Sequence, residues 1–367
     1  MVLPFRLRSA LFALVLLFHS MGLCVAAGDE ASTSANLIAA EAQPALALLL
    51  PLASADFARP AEAVRLGFLA ALKHSGEKLT VGVIATDASG ESILSGYDRA
   101  VKLGARLVVG PLTRSGVSAL AASRMVSVPT LGLNLPEDKT ALPPRFYTFG
   151  LALEAEARLV AETAFAEHFK SAILVSAKSA LAQRSRDAFA DSWRRLGGSI
   201  KAAYEFGPQT DLPALREVLA GAAVDMIFLS ADTEQARAVR PFLNNLIDVF
   251  ATSQVNSARK DAIANVDLNG IRFVEMPWLM QPDHPAVMIY PRAEGIAADM
   301  ERFYALGIDA FRVAAALIDG PRRLSLDGVT GRLTLDGSQV TREPVQAVFR
   351  GGVGISLDHD EPEAGQR

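Results

Sequence analysis

Cysteine is almost missing from this sequence: Cys24 is the only one in 367 residues. An intramolecular disulfide is therefore excluded. Histidine is sparse too, with five scattered residues that include His19 near the start and His359 near the end, so no metal cluster is expected. There is no G-x-S-x-G elbow, no H-E-x-x-H pair and no P-loop. Ser75-Gly76-Glu77-Lys78 spells S-x-x-K, but it falls at a helix end and lacks the S-D-N and K-T-G elements that complete such a site. These absences remove the catalytic constellations that a sequence can reveal, and no cofactor is expected. An excess of positive charge is also lacking. Lys and Arg number 36 against 40 Asp and Glu, which gives no electrostatic reason to bind nucleic acid.

An apolar run in the first 27 residues has the flanks of a leader. There Arg6 and Arg8 precede the apolar run 10–18, and Val25-Ala26-Ala27 supplies the small residues of a cleavage site, so 1–27 reads as a signal peptide for export. The run is too short for a lasting membrane span. Cys24 lies in this leader and would be a lipidation site in a lipoprotein. Leu23 stands where such a site needs a small residue, so cleavage near Ala27 is the expectation, and membrane association would come only through a lipidated Cys24.

Beyond the leader the chain is rich in pattern. Residues 28–44 form a polar, alanine-rich linker, and then Ala45 to Leu52 is continuously apolar, as in a parallel strand covered on both faces. Pro60, the spacing of Val64, Phe68 and Leu72, and Gly76 predict a helix; strands over 79–86, 105–110 and 126–132 alternate with helices built on Ile93, Tyr97 and Val101 and on 113–125. Pro143-Pro144 and a strand at 146–149 interrupt the rhythm, which restarts with a helix near 154–169 and strands over 172–176, 199–206, 224–230, 246–252 and 271–275. Asp211 is expected to cap one helix, and Asp232 with Gln235 to form a capping box on another. Alternation of this kind predicts an α/β chain folded as two doubly wound Rossmann-like lobes. Carboxylate pairs such as Glu154 with Glu156 are expected to be solvated on a helix. Asp327-Gly328 and Asp336-Gly337 mark hairpin turns.

The strand at 271–275 runs directly into Met276-Pro277-Trp278. Pro277 cannot donate to a sheet ladder, so the chain must leave there, and Pro277 with Trp278 suits a crossover between lobes. Trp278 packed simply as core is the competing reading.

The runs ATSQVNS (251–257), DLNGIRFVEMPWLM (267–280), FYALGIDAFRVA (303–314) and LDGVTGRLTLD (326–336) resemble the penicillin-binding protein activator family, of the LpoA or LppC type. The first strand and helix and VVGPLTRSGVSALA (108–121) resemble it as well. The resemblance implies the type I periplasmic binding protein fold, with three crossovers. Residues 45–151 with 278–325 are then lobe 1, 152–277 with 326–352 lobe 2, and 353–367 a disordered tail. It also implies a non-enzymatic periplasmic regulator that activates a class A penicillin-binding protein, a peptidoglycan synthase, through protein contact, with outer-membrane association as in the family's lipoproteins. Those relatives carry a helical-repeat domain ahead of this one, where this sequence has the linker.

The fold it implies offers an alternative, a receptor for an amino acid or peptidoglycan fragment held in the cleft between lobes. Thr113 and Ser115, at a helix N-terminus, would suit a ligand carboxylate or would merely cap the helix. Asn134, Ser253 and Gln254 follow other strands at comparable edges, with Lys178, Gln183 and Arg184 as a solvated helix start beyond them.

Overall fold

A computed structural model describes residues 44–357, apart from 138–140, 222, 260, 319 and 321–323. The leader with Cys24, the linker up to 43 and the acidic stretch 358–367 lie outside the described residues.

The first lobe opens with β1 (Leu46–Leu50), α1 (Ala58–Ser75), β2 (Val81–Ala85), α2 (Gly90–Lys102), β3 (Leu107–Val109), α3 (Arg114–Ala122), β4 (Thr130–Gly132) and β5 (Phe146–Thr148). Its strands pair in parallel, β1 between β2 and β3. The continuous apolar sequence of β1 has a direct cause: Leu46, Leu48 and Leu50 face one core, with Phe68 of α1, while Ala47 and Leu49 face another, with Ile93 and Tyr97 of α2. A strand covered on both faces has no polar side to show.

The second lobe continues with α4 (Leu153–Ala166), β6 (Ser171–Ala177), α5 (Ala180–Arg195), β7 (Ser199–Phe206), α6 (Leu212–Ala220), β8 (Met226–Ser230), α7 (Thr233–Val239), β9 (Asp248–Ala251) and β10 (Arg272–Glu275). Ile173 and Val175 point to one core and Ala172 and Leu174 to the other, where Phe228, Phe189 and Trp193 stack with centroids 4.1 and 5.4 Å apart. Asp211 caps α6, and the capping box of Asp232 and Gln235 forms at the start of α7. The strand expected from Leu246 begins only at Asp248, and Leu246 is 94% exposed.

The chain then returns to the first lobe through α8 (Pro277–Met280), α9 (Pro285–Met288) and α10 (Glu301–Leu317). Next come β11 (Ser325–Asp327), β12 (Arg332–Asp336) and β13 (Gln339–Glu343), and finally β14 (Val345–Arg350) and β15 (Val353–Ser356). The first sheet has the order β11-β12-β13-β5-β4-β3-β1-β2 and the second β15-β14-β10-β9-β8-β6-β7. Among the described residues the chain thus passes between lobes after β5, after β10 and at Pro344.

Two boundaries differ from expectation. The span 326–352 was expected in lobe 2, yet β11, β12 and β13 extend the first sheet: Gln339 pairs with Thr148 of β5, and Thr148 N donates to Ser338 O at 2.9 Å. Turn chemistry identifies a hairpin but not the sheet edge it joins, and the edge of β5 was open. The disordered tail expected from 353 is contradicted at Val353–Ser356, which pairs antiparallel with β14. Gly351 and Gly352, at φ 58° and 74°, form the two-residue turn between them, which needs left-handed backbone at both positions. No helix among the described residues is long and apolar enough to cross a membrane.

Candidate functional site: the interlobe cleft

The loop after β3 forms the first wall of the cleft. Gly110, at φ 115°, passes so close to β1 that a Cβ would lie 2.0 Å from Leu49 O, so only glycine fits there. Thr113 is buried and its Oγ1 accepts from Gly116 N at 3.2 Å, which makes it the N-cap of α3. Ser115 is exposed one residue into the helix. Asn134 ties the neighbouring loop to this one, donating from Nδ2 to Leu112 O at 3.1 Å and accepting from Leu135 N at 3.0 Å. Together Thr113, Ser115 and Asn134 line an open cavity of about 530 Å³, with Phe57, Met300 and Phe303 as its apolar wall.

Both arginines of this cavity are already engaged. Arg59 pairs with Asp299 at 3.3 Å, and Arg114 pairs with Glu154 of α4 at 2.9 Å while donating to Pro136 O at 3.0 Å. Arg184 of α5 reaches the same carboxylate oxygen at 2.9 Å, so Glu154 is shared between the lobes. Burial of Glu154 opposes its ionisation, but its own backbone N–H, Arg184 and Arg114 outweigh that and hold its pKa below the usual carboxylate value. Among the described residues no histidine, cysteine or lysine lines the cavity. It is lined by hydroxyls, an amide and the carboxylates of Asp56 and Glu137 as well as by hydrocarbon.

Ser253 and Gln254 do not join this cavity. They lie in the turn after β9, where Ser253 N donates to Glu156 at 2.9 Å and Ser253 O accepts from Arg302 at 3.1 Å. Gln254 Oε1 is buried without a hydrogen-bond partner. Lys178 is exposed, and Gln183 donates to Glu205 at 3.4 Å.

Pro277 opens the single-turn α8, and Trp278 is fully buried in the core of the first lobe. Its Nε1 donates to Glu301 at 2.6 Å, its backbone N to Val329 O at 2.9 Å, and the Arg292 guanidinium lies 3.8 Å from its ring centroid. The chain passes to lobe 1 here, and the indole is buried in that lobe's core.

Sequence reasoning missed the buried charges. Glu156 is 3% exposed rather than solvated, because it accepts from Arg342 and Ser253 N. Glu275, at 0% exposure, pairs with Arg302. A lone carboxylate at the end of an apolar strand, as in FVEMPW, was the available signal.

Two doubly wound lobes connected by repeated crossings define a type I periplasmic-binding-protein-like fold. The chain belongs to the family described as "LppC putative lipoprotein", which matches residues 35–352. It is similar to penicillin-binding protein activator LpoA of Vibrio cholerae, 25% identical over 345 residues covering 82% of this chain and 55% of that protein. It therefore spans about half the length of the curated relatives it matches. A solved "putative branched-chain amino acid ABC transporter" from Chromobacterium violaceum is 34% identical, with a TM-score of 0.71 over 83% of this chain and 99% of that one. The LpoA (YraM) C-domain of Haemophilus influenzae, described as a regulator of PBP1A, has the same fold, with a TM-score of 0.71, 22% identity and coverage of 85% and 99%.

Proposed function

We infer that this protein is a non-enzymatic regulator of peptidoglycan synthesis that activates a class A penicillin-binding protein by binding to it. The observation that carries this reading is the family match over 35–352, together with curated relatives named penicillin-binding protein activators. The cleft supports it, since both of its arginines are spent on contacts within the protein. The chain is exported, with cleavage near Ala27, and works in the periplasm. Intact-mass measurement on the processed protein is expected to give a start at Gly28; a lipid-modified Cys24 as the first residue would overturn that and make it an anchored outer-membrane protein. The partner is tested by immobilising the protein and passing over it purified class A synthases in detergent. Saturable binding to at least one of them is expected, and none from a full set would refute the reading.

A second reading is favoured by one observation, the cavity of about 530 Å³ that Thr113, Ser115 and Asn134 line together. In that reading it holds a small ligand, an amino acid or peptidoglycan fragment, against Thr113, Ser115 and Asn134. A ligand at a hundred times its Kd adds about 2.7 kcal/mol of stability, which a thermal-shift screen of amino acids and muropeptides detects. The absence of any shift would remove this reading and leave the first intact.

A further inference from the structure

Each passage between the lobes carries a charged residue sunk at the junction. Glu156 lies in the first turn of α4, just past the crossing that comes after β5. Glu275 ends β10 immediately before the second crossing, and Arg342 stands two residues before Pro344 at the third. Partners come from the opposite lobe: Arg342 of the first pairs with Glu156 of the second, and Arg302 on α10 of the first pairs with Glu275 of the second.

The two pairs are joined into one network. Ser253 N donates to Glu156 at 2.9 Å, and Ser253 O accepts from Arg302 at 3.1 Å. Arg302 donates also to Asn256 O at 2.7 Å, and Asn256 Nδ2 donates to Glu275 at 2.9 Å. On the other flank Arg342 donates to Thr330 O at 3.1 Å, and Thr330 donates through its N–H and hydroxyl to Asp309 at 2.8 and 2.7 Å. The side chains of Glu156 and Arg342 are 4% and 6% exposed and that of Glu275 is 0% exposed.

A hinge that bends must let its junction groups exchange partners with water. Here bending would part charges largely shielded from water, with the Arg302 side chain 19% exposed and its partner Glu275 wholly buried, and an uncompensated buried charge disfavours the open form by roughly a hundredfold or more per pair. The Arg114–Glu154–Arg184 bridge also spans the lobes, but its partly exposed arginines make it a minor contributor.

We propose that these buried ion pairs clasp the hinge and fix the angle between the lobes, so that the protein presents one rigid two-lobed face instead of jaws that close on a ligand. This concerns the hinge alone and stands whether or not a synthase is the partner.

The test is a distance measurement on the full chain. Cys24→Ser removes the only native thiol, and Ser95→Cys on α2 with Lys201→Cys on β7 place one nitroxide on an exposed site of each lobe. Double electron–electron resonance is expected to give a single narrow distance, unchanged by a mixture of the twenty common amino acids or a muropeptide digest. Two distances, or a shift on adding either mixture, would overturn the clasp. Adding Arg302→Gln and Arg342→Gln is expected to widen the distribution at least twofold; an unchanged width in a variant with native circular dichroism would also overturn it.

Discussion

Asp309 is wholly buried on α10, and both of its carboxylate oxygens are occupied. They accept from Val329 N, Thr330 N and the Thr330 hydroxyl at 3.1, 2.8 and 2.7 Å, with Arg312 at 3.2 Å. Burial pushes its pKa up, against the opposing pull of Arg312 and the Thr330 and Val329 donors. Asp309→Ala strands these donors, and a loss of about 3 kcal/mol is expected in urea unfolding. Breaking the Arg302–Glu275 pair with Glu275→Gln is expected to cost about 3–5 kcal/mol by the same measurement, since Arg302 would be left without its counter-ion. Glu154 behaves differently with pH. Its folded pKa lies below the unfolded value, so its contribution is present above the ordinary carboxylate range and is lost as pH falls through the lower folded value. The stability difference between the unsubstituted chain and Glu154→Gln should accordingly be larger at pH 7 than at pH 3. An equal difference at both would contradict the depressed pKa. Of these burials only that of Glu275, at the end of an apolar strand, left a signal in the sequence. Carboxylates are so seldom buried that residue type alone argues for solvation, and what overrides it is an arginine 186 residues away from Glu156.

At the scale of elements, helices α1 and α10 pack unusually close. A Cβ on Gly67 would fall 1.9 Å from Tyr304 O, and one on Gly307 would fall 2.1 Å from Val64 O. Helix propensity alone predicts that Gly307→Ala stabilises by about 1 kcal/mol. The packing predicts the opposite sign: the helices must separate, and overpacking of this kind costs about 1–3 kcal/mol. A fall in Tm for Gly307→Ala would confirm the close approach, and a rise would exclude it. The elements themselves were largely legible. The apolar run of β1, the cap at Asp211 and the box at Asp232 and Gln235 are local, so neighbouring residues suffice to specify them. The sheet that β12 and β13 join was not legible, because pairing with β5 depends on an edge far away in sequence. Gly351-Gly352 was legible in principle, as a two-glycine turn flanked by VFR and VGI, and marks the hairpin that continues the second lobe.

At the scale of the molecule, the cleft is where legibility divides. Thr113, Ser115 and Asn134 come together because each lies just past a strand of one sheet, which the rhythm of the chain predicts. Ser253 and Gln254 stand apart from them, in the hydrogen-bonded floor between lobes, since the spacing of the lobes is set by side chains that no local pattern reveals. On the proposals above, the protein is a rigid two-lobed body acting on another protein. The most direct test of this is the rate of glycan-chain polymerisation by a purified class A penicillin-binding protein, with and without this protein. The rate should rise with added protein to a plateau while the protein alone makes and cleaves nothing. No change with any class A synthase, or turnover of a cell-wall substrate by the protein by itself, would contradict the account.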